Sequence, residues 1–270
     1  MKSRILTACV LLPLLLLVYF GGLPLKIGCL LISALGLHEI FKCLEAKGGK
    51  PSFACGYISL AVLYIPYIFL PNGRLDINGY IAFFVVFSLI LSMIGGFKVK
   101  ERKEYDVMLT FFGIMYTVLL PLYVSLMSFG NYSPWLWLIF IVAFGTDIFA
   151  YFVGMAIGKH KMCPNLSPKK SWEGAVGGLI FAVGFTLLYA YFTFGGSPMA
   201  MKWAAIFGVI GSVMSQCGDL AASAIKRQMD IKDYGKLLPG HGGILDRFDS
   251  ILFTAPTLYY LITLMGMIEG

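Results

Sequence analysis

Pro134–Ile157 reads PWLWLIFIVAFGTDIFAYFVGMAI, 24 residues with one charged side chain, Asp147, near the middle. An α-helix rises 1.5 Å per residue, so about 20 apolar residues cross the hydrocarbon layer of a bilayer. This stretch is long enough to do so. Five similar runs precede it, near Ile5–Phe20, Leu25–Leu44, Phe53–Leu70, Gly79–Phe97 and Val107–Phe129. Three follow, near Ala175–Phe194, Trp203–Ile225 and Phe248–Ile268. The chain is 59% hydrophobic and 13% charged, with a mean hydropathy of +0.82. A soluble domain uses about half apolar and about a quarter charged residues. The expected fold is therefore all-α: a polytopic integral membrane helical bundle of about nine transmembrane helices.

The distribution of Lys and Arg tests that count, because cations collect in the loops on the cytoplasmic side. Of the 21 Lys and Arg, 18 fall in the N-terminal tail and every second loop, and 3 in the alternate loops, with Lys26 and Lys42 at the ends of the second span counted with the loops they adjoin. This alternation supports nine spans and predicts a cytoplasmic N-terminus with the C-terminus outside. Lys2 and Arg4 before an apolar run resemble a secretory signal. The run is longer than an ordinary signal core and no small-x-small site precedes Gly21-Gly22, so it reads as a first span. The net charge of +7 is explained by topology rather than by nucleic acid, which is not expected as a partner. Six cysteines without CxxC spacing read as small packing residues.

The polar residues are unevenly placed. In the first five spans they are few. Glu39 and Lys42 near the end of the second span are expected to snorkel or pair locally, and His38 to be structural. The chain thus divides into residues 1–130, five membrane helices, and 131–270, four spans with two cytoplasmic loops rich in polar motifs. In the second region Asp147 is followed at helical spacing by Tyr151, Gly154 and Gly158. A carboxylate inside a membrane is costly and marks a functional hypothesis; the alternative is an Asp that holds helices together. The loop Lys159–Gly174 crowds Ser167, Lys169, Lys170 and Ser171 among prolines, which suits phosphate binding, although a topological determinant would look similar. The small-residue positions Gly154, Gly158, Gly174 and Gly178 suit close helix packing, either internal or across a homodimer.

The densest stretch is Asp219–Asp249. Ser215, Asp219 and Ser223 follow one another at intervals of four, with Ser212 and Lys226 completing a polar stripe on an apolar helix. With a helix exit at Ile225, Asp219 is expected at the depth of the inner-leaflet headgroups. Lys226-Arg227, Lys232-Asp233, Pro239-Gly240-His241-Gly242-Gly243 and Asp246-Arg247-Phe248-Asp249 follow. Three carboxylates beside several cations suit hard-oxygen coordination of Mg²⁺, which takes one or two carboxylates, waters and substrate phosphates. Zinc spacing, a Ser-His-Asp arrangement and a Walker loop are absent from the sequence. Phosphoryl or nucleotidyl transfer at a membrane surface fits this set, since metal and positioned cations do most of that chemistry.

The run Ser223-Ala-Ile-Lys226-Arg227 through Lys232-Asp233-Tyr-Gly235 to Leu238-Pro239-Gly-His241-Gly242-Gly243-Ile-Leu-Asp246-Arg247-Phe-Asp249 resembles the phosphatidate cytidylyltransferase signature at every fixed position. The segment from Asp147 through Lys159-His160-Lys161 and Leu166-Ser167-Pro168-Lys169-Lys170-Ser171-Trp172-Glu173-Gly174 resembles the same family, with Ser171 where Thr is more usual. Together these motifs cover about the C-terminal half; residues 1–130 match only as spans. The resemblance implies an Mg²⁺-dependent enzyme joining CTP and phosphatidate into CDP-diacylglycerol and pyrophosphate, at the cytoplasmic face of the inner membrane. It assigns Asp219, Asp246 and Asp249 to metal, with room for a second cation. Lys226, Arg227, Lys232, His241 and Arg247, with Ser223, fall to phosphate or pyrophosphate. Ser167, Lys169 and Lys170 form a second set on nucleotide or lipid phosphate, with Asp147 at the margin. The main rival is an ion-coupled transporter using Asp147 and Asp219, but transporters place interrupted helices in both halves. Here the polar groups are confined to one.

Overall fold

The structure, a computed structural model, describes residues 15–70, 76–97, 99–235 and 242–269. It is almost entirely helical. The elements run α1 Gly22–Glu45, α2 Phe53–Phe69, α3 Ile77–Gly95, α4 Glu104–Ile114, a π turn Met115–Leu119 and α5 Leu120–Leu126. After a 3₁₀ turn at Gly130–Trp135 come α6 Leu136–Ile157, strands β1 Lys161–Cys163 and β2 Ser167–Ser171, α7 Trp172–Phe194, α8 Pro198–Gln228 and α9 Leu245–Glu269. Among the described residues seven segments are long and apolar enough to cross a membrane, with α4 and α5 counted as one; α2, at 17 residues, is a shorter apolar helix. These eight coincide with eight of the nine expected spans. Of the ninth, Ile5–Phe20, only residues 15–20 are described, and they are helical; the rest lies outside the described residues.

By internal contacts the chain forms two compact units, residues 1–125 with 229–246, and residues 126–228 with 247–270. The segment 229–246, which follows α8 in sequence, thus belongs with the first five spans.

The first unit is built around aromatic and aliphatic side chains of α1, α2, α3 and α4. Leu37, Ile40, Phe41, Leu63, Tyr64, Phe84 and Ile114 are fully buried. Phe41 sits where Gly56 of α2 and Gly113 of α4 leave room for it; a Cβ at Gly56 would come within 2.8 Å of the ring. Buried Ser33 and Tyr64 satisfy each other at 2.8 Å, as buried hydroxyls must. His38 meets Tyr57 at 3.3 Å and Phe53 edge to face, the structural role expected of it. Asp106 starts α4 by accepting from Lys103 N (2.8 Å) and also ties down Lys50 N (2.6 Å).

The second unit joins α6, α7, α8 and α9 with the β hairpin. Helices α6 and α7 approach backbone to backbone. A Cβ at Gly174 would lie 2.6 Å from the Ala150 carbonyl, and one at Gly178 2.7 Å from the Thr146 carbonyl. Gly154 faces Ser171 and Gly174 of α7, and Gly158 lies against Ser171 and the Gly154 carbonyl. The small-residue positions are therefore filled by packing inside one chain. At the far end Trp135 stacks on Phe194 (4.3 Å) and meets Phe207 edge to face (5.2 Å), while Tyr132 stacks on Tyr259 (4.8 Å). The cysteines described, Cys29, Cys43, Cys55, Cys163 and Cys217, are all free thiols.

Candidate functional site

The loop expected to bind phosphate is an antiparallel hairpin, with Lys161 opposite Ser171 and Cys163 opposite Ser167. It turns at 164–166. Its base is fastened where α7 begins. Ser171 Oγ accepts from Gly174 N (3.2 Å), Trp172 N donates to the His160 carbonyl (2.9 Å), and His160 pairs with Glu173 (2.6 Å). Ser171 is thus a helix N-cap, a role Ser and Thr fill equally well in kind. Between those two pairs the ladder is irregular, three residues of β2 opposing one of β1, and there Lys169 is left in solvent and Lys170 half-buried. Lys170 Nζ lies 2.6 Å from Asp219 Oδ2. Ser167 is half-buried on the same strand.

Asp219 belongs to the polar stripe of α8, and that stripe is turned inward. Ser212 Oγ accepts from Thr146 Oγ1 of α6 at 2.9 Å; Ser223 Oγ donates to Asp219 Oδ1 at a long 3.5 Å. Ser215 Oγ is buried and finds no hydrogen-bond partner among the described residues. The helix runs to Gln228, three residues beyond the expected exit at Ile225, because Lys226, Arg227 and Gln228 are good helix formers and the two cations suit a helix C-terminus. Arg227 uses Nε to bond the Leu166 carbonyl at the hairpin turn (3.3 Å). That contact occupies one face of a residue expected to touch phosphate.

Asp249 and Ser250 come from the first turns of α9. Ser250 Oγ donates to Asp147 Oδ2 of α6 at 2.9 Å, and Asp249 Oδ1 takes the Ser250 backbone N–H at 2.9 Å. At Gly218 the backbones of α8 and α9 nearly touch: a Cβ there would be 2.5 Å from the Asp249 carbonyl. Close approach beside both residues brings Asp219 and Asp249 within electrostatic reach of each other and of Asp147; Lys170 and Lys226 attract the cluster from the hairpin and the end of α8. Arg247 keeps a buried Nε with no hydrogen-bond partner among the described residues. The second unit thus gathers Asp147, Asp219, Asp249, Lys170, Lys226 and Ser250, half-buried or buried, in one place.

Asp246 is held differently. It lies in the first unit, 9% exposed, and its Oδ2 accepts the backbone N–H groups of Tyr234 (2.8 Å) and Gly243 (2.9 Å). Lys232 is exposed just upstream, and His241 lies outside the described residues. Beside Asp246 is a residue the sequence reading placed elsewhere. Glu39 of α1, expected to snorkel or pair locally, is 8% exposed and accepts from Ile244 N (2.9 Å) and Leu245 N (3.0 Å). Its partners are over 200 residues away, so no local pattern could have shown them.

Whether these residues suit Mg²⁺ turns on donor chemistry. Among the described residues no group of three or more His, Cys, Asp or Glu stands ready-made for a metal ion. Magnesium does not need one, because it keeps several waters and is bound through one or two carboxylates plus substrate phosphates. All donors here are hard oxygens. Three mutually repelling carboxylates against two lysines leave an acidic surplus that a divalent cation would relieve. The residues fit the ion.

A helical, polytopic membrane protein with buried carboxylates and lysines gathered among its spans is the class that fold and site define. The chain belongs to the cytidylyltransferase family, whose model matches residues 2–265. A protein of Bacillus subtilis (strain 168) named phosphatidate cytidylyltransferase is 34% identical to it over 98% of this chain and 99% of its own length. A Thermotoga maritima protein of the same name is 31% identical over 98% of this chain and 97% of its own length. A third, from Mycobacterium bovis, is 41% identical across 55% of this chain and 50% of its own.

Proposed function

We propose that this chain is a phosphatidate cytidylyltransferase, which joins CTP and phosphatidate to give CDP-diacylglycerol and pyrophosphate. The observation that carries the reading is the gathering of Asp147, Asp219 and Asp249 with Lys170 and Lys226 among membrane-spanning helices. Full-length similarity to two proteins of that name supports it. The nucleophile is a phosphate oxygen of phosphatidate, already anionic near neutral pH because a phosphomonoester's second pKa is about 6. No strong general base is needed. It attacks the α-phosphorus of CTP, forming the new P–O bond as the bond to the β-phosphate oxygen breaks and pyrophosphate departs.

The difficulty is repulsion between two anionic substrates, which fixed positive charge lowers. Lys170 and Lys226 are already beside the carboxylates; Arg247, with its unused Nε, and Lys169, Lys232 and Arg227 are proposed to take phosphate oxygens, with Ser167 and Ser223 as hydroxyl partners. Asp219 and Asp249 are the proposed Mg²⁺ ligands of the second unit; for Asp246 the same role is proposed from the resemblance of its motif alone. When bound, Mg²⁺ supplies charge neutralisation at the phosphates and the pyrophosphate leaving group. Asp147, held by Ser250 and electrostatically coupled to Asp219 and Asp249, is proposed to orient the cluster. The alternation of Lys and Arg in the loops supports a cytoplasmic-membrane location with the site facing the cytoplasm, where CTP is. A homodimer is also proposed. Incorporation of labelled CTP into lipid by the purified protein tests the reading. Pyrophosphate release with phosphatidate and Mg²⁺, and none without either, is the expected result; no incorporation under any metal would sink it.

A further inference from the structure

We propose that Glu39 is a positioning residue for the transfer reaction: its buried carboxylate sets the conformation of the 242–246 turn and through it the placement of Asp246. This rests on the cytidylyl-transfer reading above. The two oxygens of Glu39 take the N–H groups of Ile244 and Leu245, and Asp246 takes those of Gly243 and Tyr234. Three successive N–H groups at the start of α9, 243 to 245, are thereby used by two carboxylates. The surrounding backbone is moulded on Glu39. A Cβ at Gly235 would come 2.6 Å from Oε1, and one at Gly243 would collide with both oxygens. Gly242 adopts φ +82°, a conformation for which glycine is suited, beside Asp246 Oδ2 and Asp233.

A carboxylate buried in an apolar helix is costly unless its lone pairs are filled. If α1 needed only to be packed here, an apolar side chain would serve with less strain. Glu39 instead meets a backbone that lies 205 and 206 residues further along the chain. With the Lys47–Asp230 ion pair, it anchors the segment that carries Lys232, Asp233 and Asp246. Its carboxylate also lies at the positive end of α9, where negative charge is favoured.

Purified Glu39→Ala and Glu39→Gln test this, with Gly243→Ala disturbing the same contact from the loop side. Four quantities are read: melting temperature, the rate of tryptic cleavage after exposed Lys232, kcat, and the Mg²⁺ concentration giving half-maximal turnover. Outer partners of metal-binding groups are worth about 10–100-fold in affinity or activity, so Glu39→Ala is expected to lose at least about tenfold in kcat and to need severalfold more Mg²⁺. KM for phosphatidate should change little. Glu39→Gln, which keeps one acceptor oxygen, should fall between, and cleavage after Lys232 should quicken in the same order. Folded Glu39→Ala with wild-type kcat and Mg²⁺ requirement overturns the proposal, even if its melting temperature drops. Should Glu39→Ala not fold, Gly243→Ala decides on the same two readouts, wild-type values again overturning it. A wild-type protein that transfers no CTP sinks the functional reading instead; unchanged cleavage after Lys232 in the variants would then overturn the role of Glu39 independently.

Discussion

Lys170 Nζ stands 2.6 Å from Asp219 Oδ2, the lysine on the second strand of the hairpin and the aspartate in the polar stripe of α8. The two side chains are 25% and 28% exposed, so water screens the pair only partly. This contact couples two motif segments that are separate in sequence. It is also the only link of this kind by which the hairpin's positive charge reaches the carboxylates among the described residues.

Removing that charge while keeping the apolar stem, Lys170→Met, should leave Asp147, Asp219 and Asp249 short of positive charge. If Lys170 also faces substrate phosphate, kcat/KM for CTP should fall about 100-fold, the size of losing one fixed charge or donor at a reacting centre. Lys169→Met, on the solvent side of the same strand, should cost less than about tenfold and mostly in KM. Initial rates of labelled-CTP incorporation separate the two. Equal effects would show that the difference in burial does not sort their roles.

How the lysines divide was not readable from the chain. The sequence placed Ser167, Lys169 and Lys170 together as one phosphate-binding set, because a Pro-rich loop carries no period of its own. Only the irregular stretch of the ladder between the Lys161–Ser171 and Cys163–Ser167 pairs sets which lysine is half-buried. The spans were legible because bilayer thickness imposes a length and a composition on every crossing helix. The inward face of α8 was legible for a related reason: a stripe of Ser and Asp at intervals of four must find polar partners when the rest of the helix is apolar. Glu39 was not, since a lone carboxylate near a helix end looks the same whether it reaches water or a backbone far along the chain. Arg227 was assigned to phosphate from its neighbours in the signature, and nothing local could reveal that Leu166 would take its Nε.

Chelation gives the next test. With three repelling carboxylates and hard-oxygen donors only, stripping divalent cations with EDTA should abolish CTP incorporation, and added Mg²⁺ should restore it. Asp219→Asn and Asp249→Asn should each reduce kcat by about 100-fold or more if they hold the ion, and raise the Mg²⁺ required. Titrating activity against free Mg²⁺ distinguishes a ligand from a bystander: a variant with lowered kcat at an unchanged Mg²⁺ midpoint does not hold the ion.

Ser250→Ala removes the 2.9 Å hydrogen bond to Asp147 Oδ2 and leaves a half-buried carboxylate short of a donor. A bond to a charged group contributes about 1.5–3 kcal/mol, so the thermal midpoint should fall by several degrees. Turnover should fall less than in Asp219→Asn if Asp147 orients the cluster, as proposed, without contacting substrate. A Ser250→Ala protein with the full loss of Asp219→Asn would move Asp147 into the reacting centre. Ser250→Thr, which keeps the hydroxyl, should restore most of both properties if the added methyl is accommodated.

Gly218→Ala probes how closely the site depends on the approach of α8 to α9. The new Cβ would sit 2.5 Å from the Asp249 carbonyl and 3.3 Å from Phe253 Cβ. A backbone oxygen within a helix cannot swing aside as a side-chain tip can, so the two helices must separate. Asp219 follows Gly218 directly, and Asp249 carries the obstructing carbonyl, so the separation is transmitted to both carboxylates. Overpacking of this kind costs about 1–3 kcal/mol, and a displacement near 1 Å at a reacting centre can cost about 100-fold in rate. Lower melting temperature and much lower kcat are expected together. Gly184→Ala in α7 is the control: no heavy atom lies within 4 Å of its Cβ position, and a helical Gly→Ala change there should be neutral or stabilising by up to about 1 kcal/mol. If Gly218→Ala were as active as Gly184→Ala, the closeness of the two helices would have no bearing on turnover.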